Sequence, residues 1–233
     1  MPNGSNRPSF SNPNWRHADD DRRAAMTDLR EETMIVRCKP VGAWAMNAHV
    51  LVCSKTGQSV LIDPGAEPQT LTKLLDNSTP VAILITHNHP DHVGALGAMR
   101  RQLGVPVMAP ALSGIGADRQ LNTDDRIDIG EQQIRVYSTP GHTEDQVSFG
   151  VEGHPIYIVG DTIFEGGPGK TWSCADFQTT LATMRNIVLA WPDDALCYPG
   201  HGDPFPLGPL RPAIERFLAK DHGPFFGDAE WEM

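Results

Sequence analysis

The chain has 233 residues and a formal net charge of −10, with 19 Lys and Arg against 29 Asp and Glu. A surface of that sign repels a phosphate backbone and no basic stripe offsets it, so nucleic acid is excluded as a partner. No apolar run reaches the length of a bilayer span, nothing near the start resembles a signal peptide, and the four cysteines form no Cys-x-x-Cys pair, a pattern of reduced, mostly buried thiols that points to the cytoplasm.

Residues 1–32 are rich in Asn, Pro, Ser, Asp and Arg, include the charge run Asp19-Asp20-Asp21-Arg22-Arg23, and hold no sustained apolar period. They read as a flexible extension, with a short helix near 23–32, ahead of a single domain over 33–233. From Met34 onward, short apolar and β-branched runs predict strands over 34–39, 48–53, 59–62 and 81–85, with a helix over 67–76. The fourth strand runs into Thr86-His87-Asn88-His89-Pro90-Asp91-His92, and helical spacing resumes over 91–103. His87 and His89, two apart on extended backbone, point the same way. Pro90 holds its predecessor extended, and the new helix turns Asp91 and His92 elsewhere, so one loop can serve two adjacent metal ions.

Further strands are predicted over 106–108, 133–137, 147–151, 155–159 and 195–198, and helices over 174–190 and 210–220. Three of these strands end on a polar residue beside glycine: Gly141-His142-Thr143, Gly160-Asp161-Thr162 and Pro199-Gly200-His201-Gly202. Glycine there permits tight turns and close backbone approach. Ser173 reads as the N-cap of the long helix, with Asp176 in its first turn. The last helix is amphipathic, with Ile214, Phe217 and Leu218 on its buried face. Gly169-Lys170-Thr171 does not make a phosphate loop, because Phe164 stands where the pattern needs glycine. Imidazoles with carboxylates suit zinc, iron or manganese. His17, His49, His154 and His222 lack motif context and receive no role.

Taken in order, His87/His89/Asp91/His92, His142, Asp161 and His201 resemble the metallo-β-lactamase-fold hydrolase superfamily over about residues 35–205. The resemblance implies an α+β fold, a four-layer αββα sandwich of two mixed sheets with helices outside. It implies two divalent metal ions, zinc first with iron or manganese as alternatives. One would be held by His87, His89 and His142, the other by Asp91, His92 and His201, with Asp161 between them. The run Gly160-Asp161-Thr162-Ile163-Phe164, followed by Gly167-Pro168-Gly169-Lys170-Thr171, is similar to type II glyoxalases (hydroxyacylglutathione hydrolases) and their persulfide dioxygenase relatives. By that similarity Lys170 would bind a carboxylate of the carrier thiol, with Trp172 where the family has a tyrosine at the same site. Glyoxalases of full length add a further helical domain, so the nearer resemblance is to their compact relatives.

Two such ions, about 3.5–4 Å apart, would bring a shared water near neutral pKa and polarise a carbonyl, with Asp91 orienting the nucleophile. Asp63, Thr86, Thr143 and Thr162 are expected to brace the ligands. The expected function is hydrolysis of a small-molecule thioester such as an acyl-glutathione. The alternatives are a persulfide dioxygenase using only His87, His142 and Asp161, hydrolysis of a lactone or β-lactam, and a non-catalytic metal-binding module.

Overall fold

The computed structural model describes residues 33–233, and the expectations for 1–32 lie outside the described residues. Twelve strands form two six-stranded sheets among these residues. The first sheet takes β1 (Met34–Val41), β2 (Met46–Cys53), β3 (Gln58–Ile62), β4 (Thr79–Leu84), β5 (Val107–Pro110) and β6 (Arg119–Leu121) in that spatial order. Pairing is antiparallel from β1 to β3 and parallel from β3 to β6. The second sheet takes β7 (Arg126–Ile129), β8 (Gln132–Ser138), β9 (Val147–Val151), β10 (Ile156–Gly160), β11 (Leu196–Pro199) and β12 (Phe205–Pro206), all antiparallel except the parallel pair β10/β11.

Alternation along the strands separates three apolar layers. Leu51, Cys53, Val60, Ile62 and Leu84 from the first sheet meet Ile134, Val136, Phe149 and Ile158 from the second, forming the core between the sheets. The outer face of the first sheet (Ala48, Val50, Leu61, Ile83) is covered by α1 (Pro68–Leu74), the one-turn α2 (Pro90–Val93) and α3 (Leu96–Leu103) through Leu71, Leu96 and Met99. The outer face of the second is covered by α4 (Cys174–Asn186) and α5 (Leu207–Ala219) through Phe177, Leu181, Met184, Ile214, Phe217 and Leu218. This is the expected αββα order of layers.

Several boundaries depart from the sequence reading. The helix expected over 91–103 is broken into α2 and α3, because Gly94 packs on the Gly65 turn and the Ala95 amide donates to Pro64 O at 2.9 Å. Helix α4 stops at Asn186 and hands over to a 3-10 turn, Val188–Ala190. Helix α5 begins at Leu207, so its first turns include Pro209 and Pro212. Ser173 caps α4, its hydroxyl accepting the Asp176 amide at 3.1 Å. All four cysteines are free, but Cys38 is exposed rather than buried. No helix among the described residues is long and apolar enough to cross a membrane.

Candidate metal centre

Strand direction brings the polar loops to one edge. Parallel pairing of β3 with β4 places Asp63 and the loop 86–92 side by side, and antiparallel β2 starts at the same edge with Met46 and Asn47. In the second sheet β8, β10 and β11 run the same way, so His142, Asp161 and His201 all follow their strands at one edge. Bonds between the sheets join the two edges: Val147 N donates to Thr86 O at 3.0 Å and Asn47 N to Gly200 O at 2.7 Å.

The seven predicted ligands converge there. His87, His89 and His142 form one group whose ligand atoms lie within 4.8 Å of one another, and Asp91, His92 and His201 form a second. Asp161 lies between them: Oδ1 is 3.4 Å from His92 Nε2, and Oδ2 is 3.6 Å from His142 Nε2 and 3.8 Å from His201 Nε2. His87 Nε2 and His142 Nε2 both approach His89 Nδ1, at 3.1 and 2.9 Å.

Each remaining ring is tied down on its outer side. His92 Nδ1 faces Asp63 Oδ2 at 2.9 Å, His142 Nδ1 faces Lys170 O at 2.7 Å, and His201 Nδ1 faces Trp44 O at 3.2 Å. These partners only accept, so each proton sits on Nδ1 and the Nε2 lone pair points inward. Asp63 serves two rings at once. It accepts the Thr86 amide at 2.8 Å and the Thr86 hydroxyl at 2.7 Å, and that hydroxyl is 3.0 Å from His87 Nδ1. A hydroxyl that donates to Asp63 must accept from His87, which fixes the His87 tautomer as well. Asp63 achieves this with a left-handed backbone, φ 52°, a conformation uncommon outside glycine and best tolerated by Asn and Asp.

Electrostatics prepare this cluster for a cation. Burial holds the His87 imidazole well below its ordinary pKa, and the rings of His92, His142 and His89 add to the effect. Burial also lowers His89 and His142. Burial opposes charging of His92 too, but the Asp161 and Asp63 carboxylates overcome it and raise this ring. For Asp161, burial favours the neutral acid, yet the surrounding imidazoles win and lower its pKa. The buried His92 Nε2 and Asp161 Oδ1 make no hydrogen bond. Three imidazoles that burial keeps neutral (His87, His89 and His142), a fourth (His92) whose charge a bound cation would replace, and ionised carboxylates aimed at common points fit divalent cations and leave two adjacent positions for them.

Backbone packing completes the site in ways that sequence reasoning missed. Asn47 Nδ2 donates to Pro199 O at 3.1 Å and Gly202 O at 2.7 Å, clamping the His201 turn. A Cβ on Gly200 would stand 2.1 Å from Asp161 Oδ1 and 2.7 Å from His92 Cε1, so this loop passes against the ligands only as glycine. The main-chain carbonyls of Trp44 and Lys170 carry no signal in side-chain patterns. Of the four expected bracing residues, Asp63 and Thr86 reach the rings. Thr162 instead joins a buried network, accepting from Gln146 Nε2 at 2.5 Å and contacting Thr139 and Ser148. The Thr143 hydroxyl is buried with no hydrogen-bond partner, and only the Thr143 carbonyl acts, accepting from Gly141 N at 2.9 Å.

A cavity of about 690 Å³ opens beside the centre, lined by His142 and Asp161 together with Phe164, Lys170, Leu210 and Trp231. Lys170 Nζ lies 5.4 Å from the Trp172 ring centroid, and the Trp172 ring lies 6.3 Å from that of His89. Both residues expected to meet substrate therefore stand next to the first histidine group.

The family model described as the metallo-beta-lactamase superfamily matches residues 41–201. A "Probable metallo-hydrolase YqgX" of Bacillus subtilis is 32% identical over 81% of this chain and 96% of its own. A hydroxyacylglutathione hydrolase of Chelativorans sp. is 33% identical over 64% of this chain, which spans 59% of that relative's length. Among solved structures, the BLEG-1 B3 metallo-beta-lactamase superposes with TM-score 0.70 at 29% identity, covering 80% of this chain and all of that one. TTHA1623 in a di-iron-bound form superposes with TM-score 0.65 at 27% identity, over 75% of this chain and 96% of that one. With its two facing sheets and a His/Asp cluster suited to a dinuclear metal site, the chain belongs to the metallo-beta-lactamase superfamily.

Proposed function

We propose that the protein is a metal-dependent hydrolase of small thioesters, an acyl-glutathione or a similar acyl thiol. In this reading His87, His89 and His142 hold one divalent ion, Asp91, His92 and His201 hold another, and Asp161 lies between them. The observation that carries the reading is the meeting of these two groups around Asp161, which together with His142 lines a cavity large enough for a small conjugate. Divalent ions so held, zinc first with iron or manganese as alternatives, supply Lewis acidity and bring the pKa of water toward neutrality.

The protein groups do the positioning. Asp91 Oδ2, 3.1 Å from His201 Nε2, is the partly exposed carboxylate of the cluster, with its side chain 17% accessible. It accepts a hydrogen bond from the attacking water and holds it toward the cavity. Asp63, through His92 and Thr86, keeps the rings in the tautomer that binds. Lys170 and Trp172 meet the part of the substrate that extends away from the acyl carbon. A thiolate leaves without being protonated, so a thioester makes no demand for a strong general acid.

The test is turnover of a panel by metal-loaded protein: S-lactoylglutathione and other thioesters, a lactone, a β-lactam, and oxygen uptake with glutathione persulfide. Metal-dependent thioester cleavage supports the reading, and an inert response to every thioester ends it. The likeness to the B3 enzyme favours β-lactam hydrolysis as the second reading, and oxygen consumption would instead select a persulfide dioxygenase.

A further inference from the structure

The Gly169-Lys170-Thr171 run, which makes no phosphate loop, lies between the metal centre and residues 227–231. On its inner side a Cβ on Gly169 would run into Asp161 O and stand 3.1 Å from His142 Cβ, and Gly169 N donates to Thr162 O at 3.2 Å. On its outer side Trp231 N donates to Gly166 O at 3.1 Å and Trp231 Nε1 to Glu165 O at 3.0 Å. The buried Trp231 ring meets Phe217 of α5 with centroids 5.4 Å apart. A Cβ on Gly167 would run into Ala229 O. The ligand-bearing turns, the loop 165–171 and the segment 227–231 are thus stacked main chain on main chain, with no room for a side chain at either glycine.

The decisive contacts fall on a single peptide unit. Lys170 C=O and Thr171 N–H are its two ends, and in a trans peptide they point opposite ways. The carbonyl accepts from His142 Nδ1 at 2.7 Å, and the amide donates to Gly227 O at 3.0 Å. The buried Thr171 side chain closes a second contact, its Oγ1 accepting from Gly227 N at 3.1 Å. Residues 170–172 belong to no helix or strand, so no regular ladder holds this peptide plane. A peptide whose N–H is engaged is a stronger acceptor at its oxygen, because successive hydrogen bonds polarise one another. The acceptor at Nδ1 in turn sets the tautomer and basicity of a ligating ring.

We infer that Thr171 is a positioning residue for His142. By clasping Gly227 it holds the Lys170–Thr171 peptide in the plane that keeps the His142 proton on Nδ1, so the segment 227–231 supports the first metal position from outside. The inference rests on the proposed ion at His87, His89 and His142 and is independent of the substrate. The second position does not use this support, since His92 takes its outer partner from Asp63 and His201 from Trp44 O.

The experiment reads the ring itself as well as the metal. Thr171→Val keeps the shape of the buried side chain and removes the hydroxyl, and Thr171→Ser restores it. Long-range ¹H–¹⁵N spectra are recorded on the full chain, metal-free and then with zinc delivered from a chelator buffer, and are followed at His142 and His92. Metal-free wild type should hold the His142 proton on Nδ1, and Thr171→Val should show a mixture of tautomers at His142 with His92 unchanged. The zinc level that half-converts the His142 signal should rise about tenfold relative to that for His92, the lower end for loss of a ligand's outer partner. Thr171→Ser should recover most of that change. Trp231→Phe keeps a ring on Phe217 and deletes only the donor to Glu165 O; it moves the same ratio in the same direction and serves as the test if Thr171→Val does not fold. An unchanged His142 tautomer, an equal loss at both metal positions, or no recovery in Thr171→Ser overturns the inference. A wild type that takes up no zinc while the tautomer change is present supports the positioning of His142 and ends the metal reading instead.

Discussion

Replacing Asp63 with asparagine changes one heavy atom and, by the geometry here, reverses the proton on two ligand rings. The Asp63 carboxylate accepts three hydrogen bonds, from Thr86 N at 2.8 Å, Thr86 Oγ1 at 2.7 Å and His92 Nδ1 at 2.9 Å. In Asp63→Asn the amide oxygen must stay on the Thr86 amide, since the opposite rotamer sets two donors face to face. The NH₂ then faces His92 Nδ1 and the Thr86 hydroxyl. His92 has to accept at Nδ1 and carry its proton on Nε2, where a metal would bind. The Thr86 hydroxyl, freed from donating to Asp63, donates to His87 Nδ1 at 3.0 Å and moves that proton inward too. Asparagine tolerates the φ of 52° at this position, so the backbone has no reason to rearrange. Loss of such a ring-orienting partner weakens metal binding about 10–100-fold, or about 1.4–2.7 kcal/mol. Competition with a chromophoric chelator reads the affinity, and long-range ¹H–¹⁵N spectra of the imidazoles read the tautomers. Affinity for both ions within about threefold of wild type, well inside that range, with Nδ1 still protonated, would refute the reasoning.

Gly200→Ala places a methyl 2.1 Å from Asp161 Oδ1, well inside the 3.0 Å floor for such a contact. A displacement approaching 1 Å at a reacting centre costs about 100-fold, so kcat/KM and bound metal should fall together in this variant. His49 is fully buried with neither ring nitrogen hydrogen-bonded, and burial holds its pKa at about 4. A folded pKa below the unfolded value means stability present above about 6.5 and lost as pH falls toward 4. At pH 5 this amounts to about 2 kcal/mol. His49→Leu should therefore gain about 4–8 °C in Tm at pH 5 relative to its effect at pH 7, read by calorimetry; parallel pH profiles for the two proteins would contradict this. Chelator dialysis should lower Tm and abolish turnover, with both restored by added zinc, iron or manganese. Metal affinity should weaken as pH falls, because the imidazoles must be neutral to bind, and an apo form as stable and active as the loaded one would be the contrary result.

The loop 86–92 was legible because its information is local: alternation on a strand end, a proline and a helix start set which way four side chains point. The apolar, β-branched runs in β2, the second half of β4, β9 and β10 were legible for the same reason, since burial there selects short stretches of Val, Ile, Leu and Phe. Edge strands β6, β7 and β12 were not, being two to four residues long and partly charged or proline-bearing. The break at Gly94 depends on the Gly65 turn, which is remote in sequence.

The order of the motifs was enough to carry the resemblance to the family, and that resemblance, rather than composition or periodicity, implied the two-sheet architecture; the candidate ligands were legible because imidazoles and carboxylates beside glycine at strand ends are local features of the sequence. Tertiary structure alone decided which rings share Asp63, which carbonyls orient His142 and His201, and that residues 227–232 pack against the loop 165–171 beside the cavity. Those features rest on main-chain groups and on contacts between distant segments, which leave no periodic trace in the order of residues.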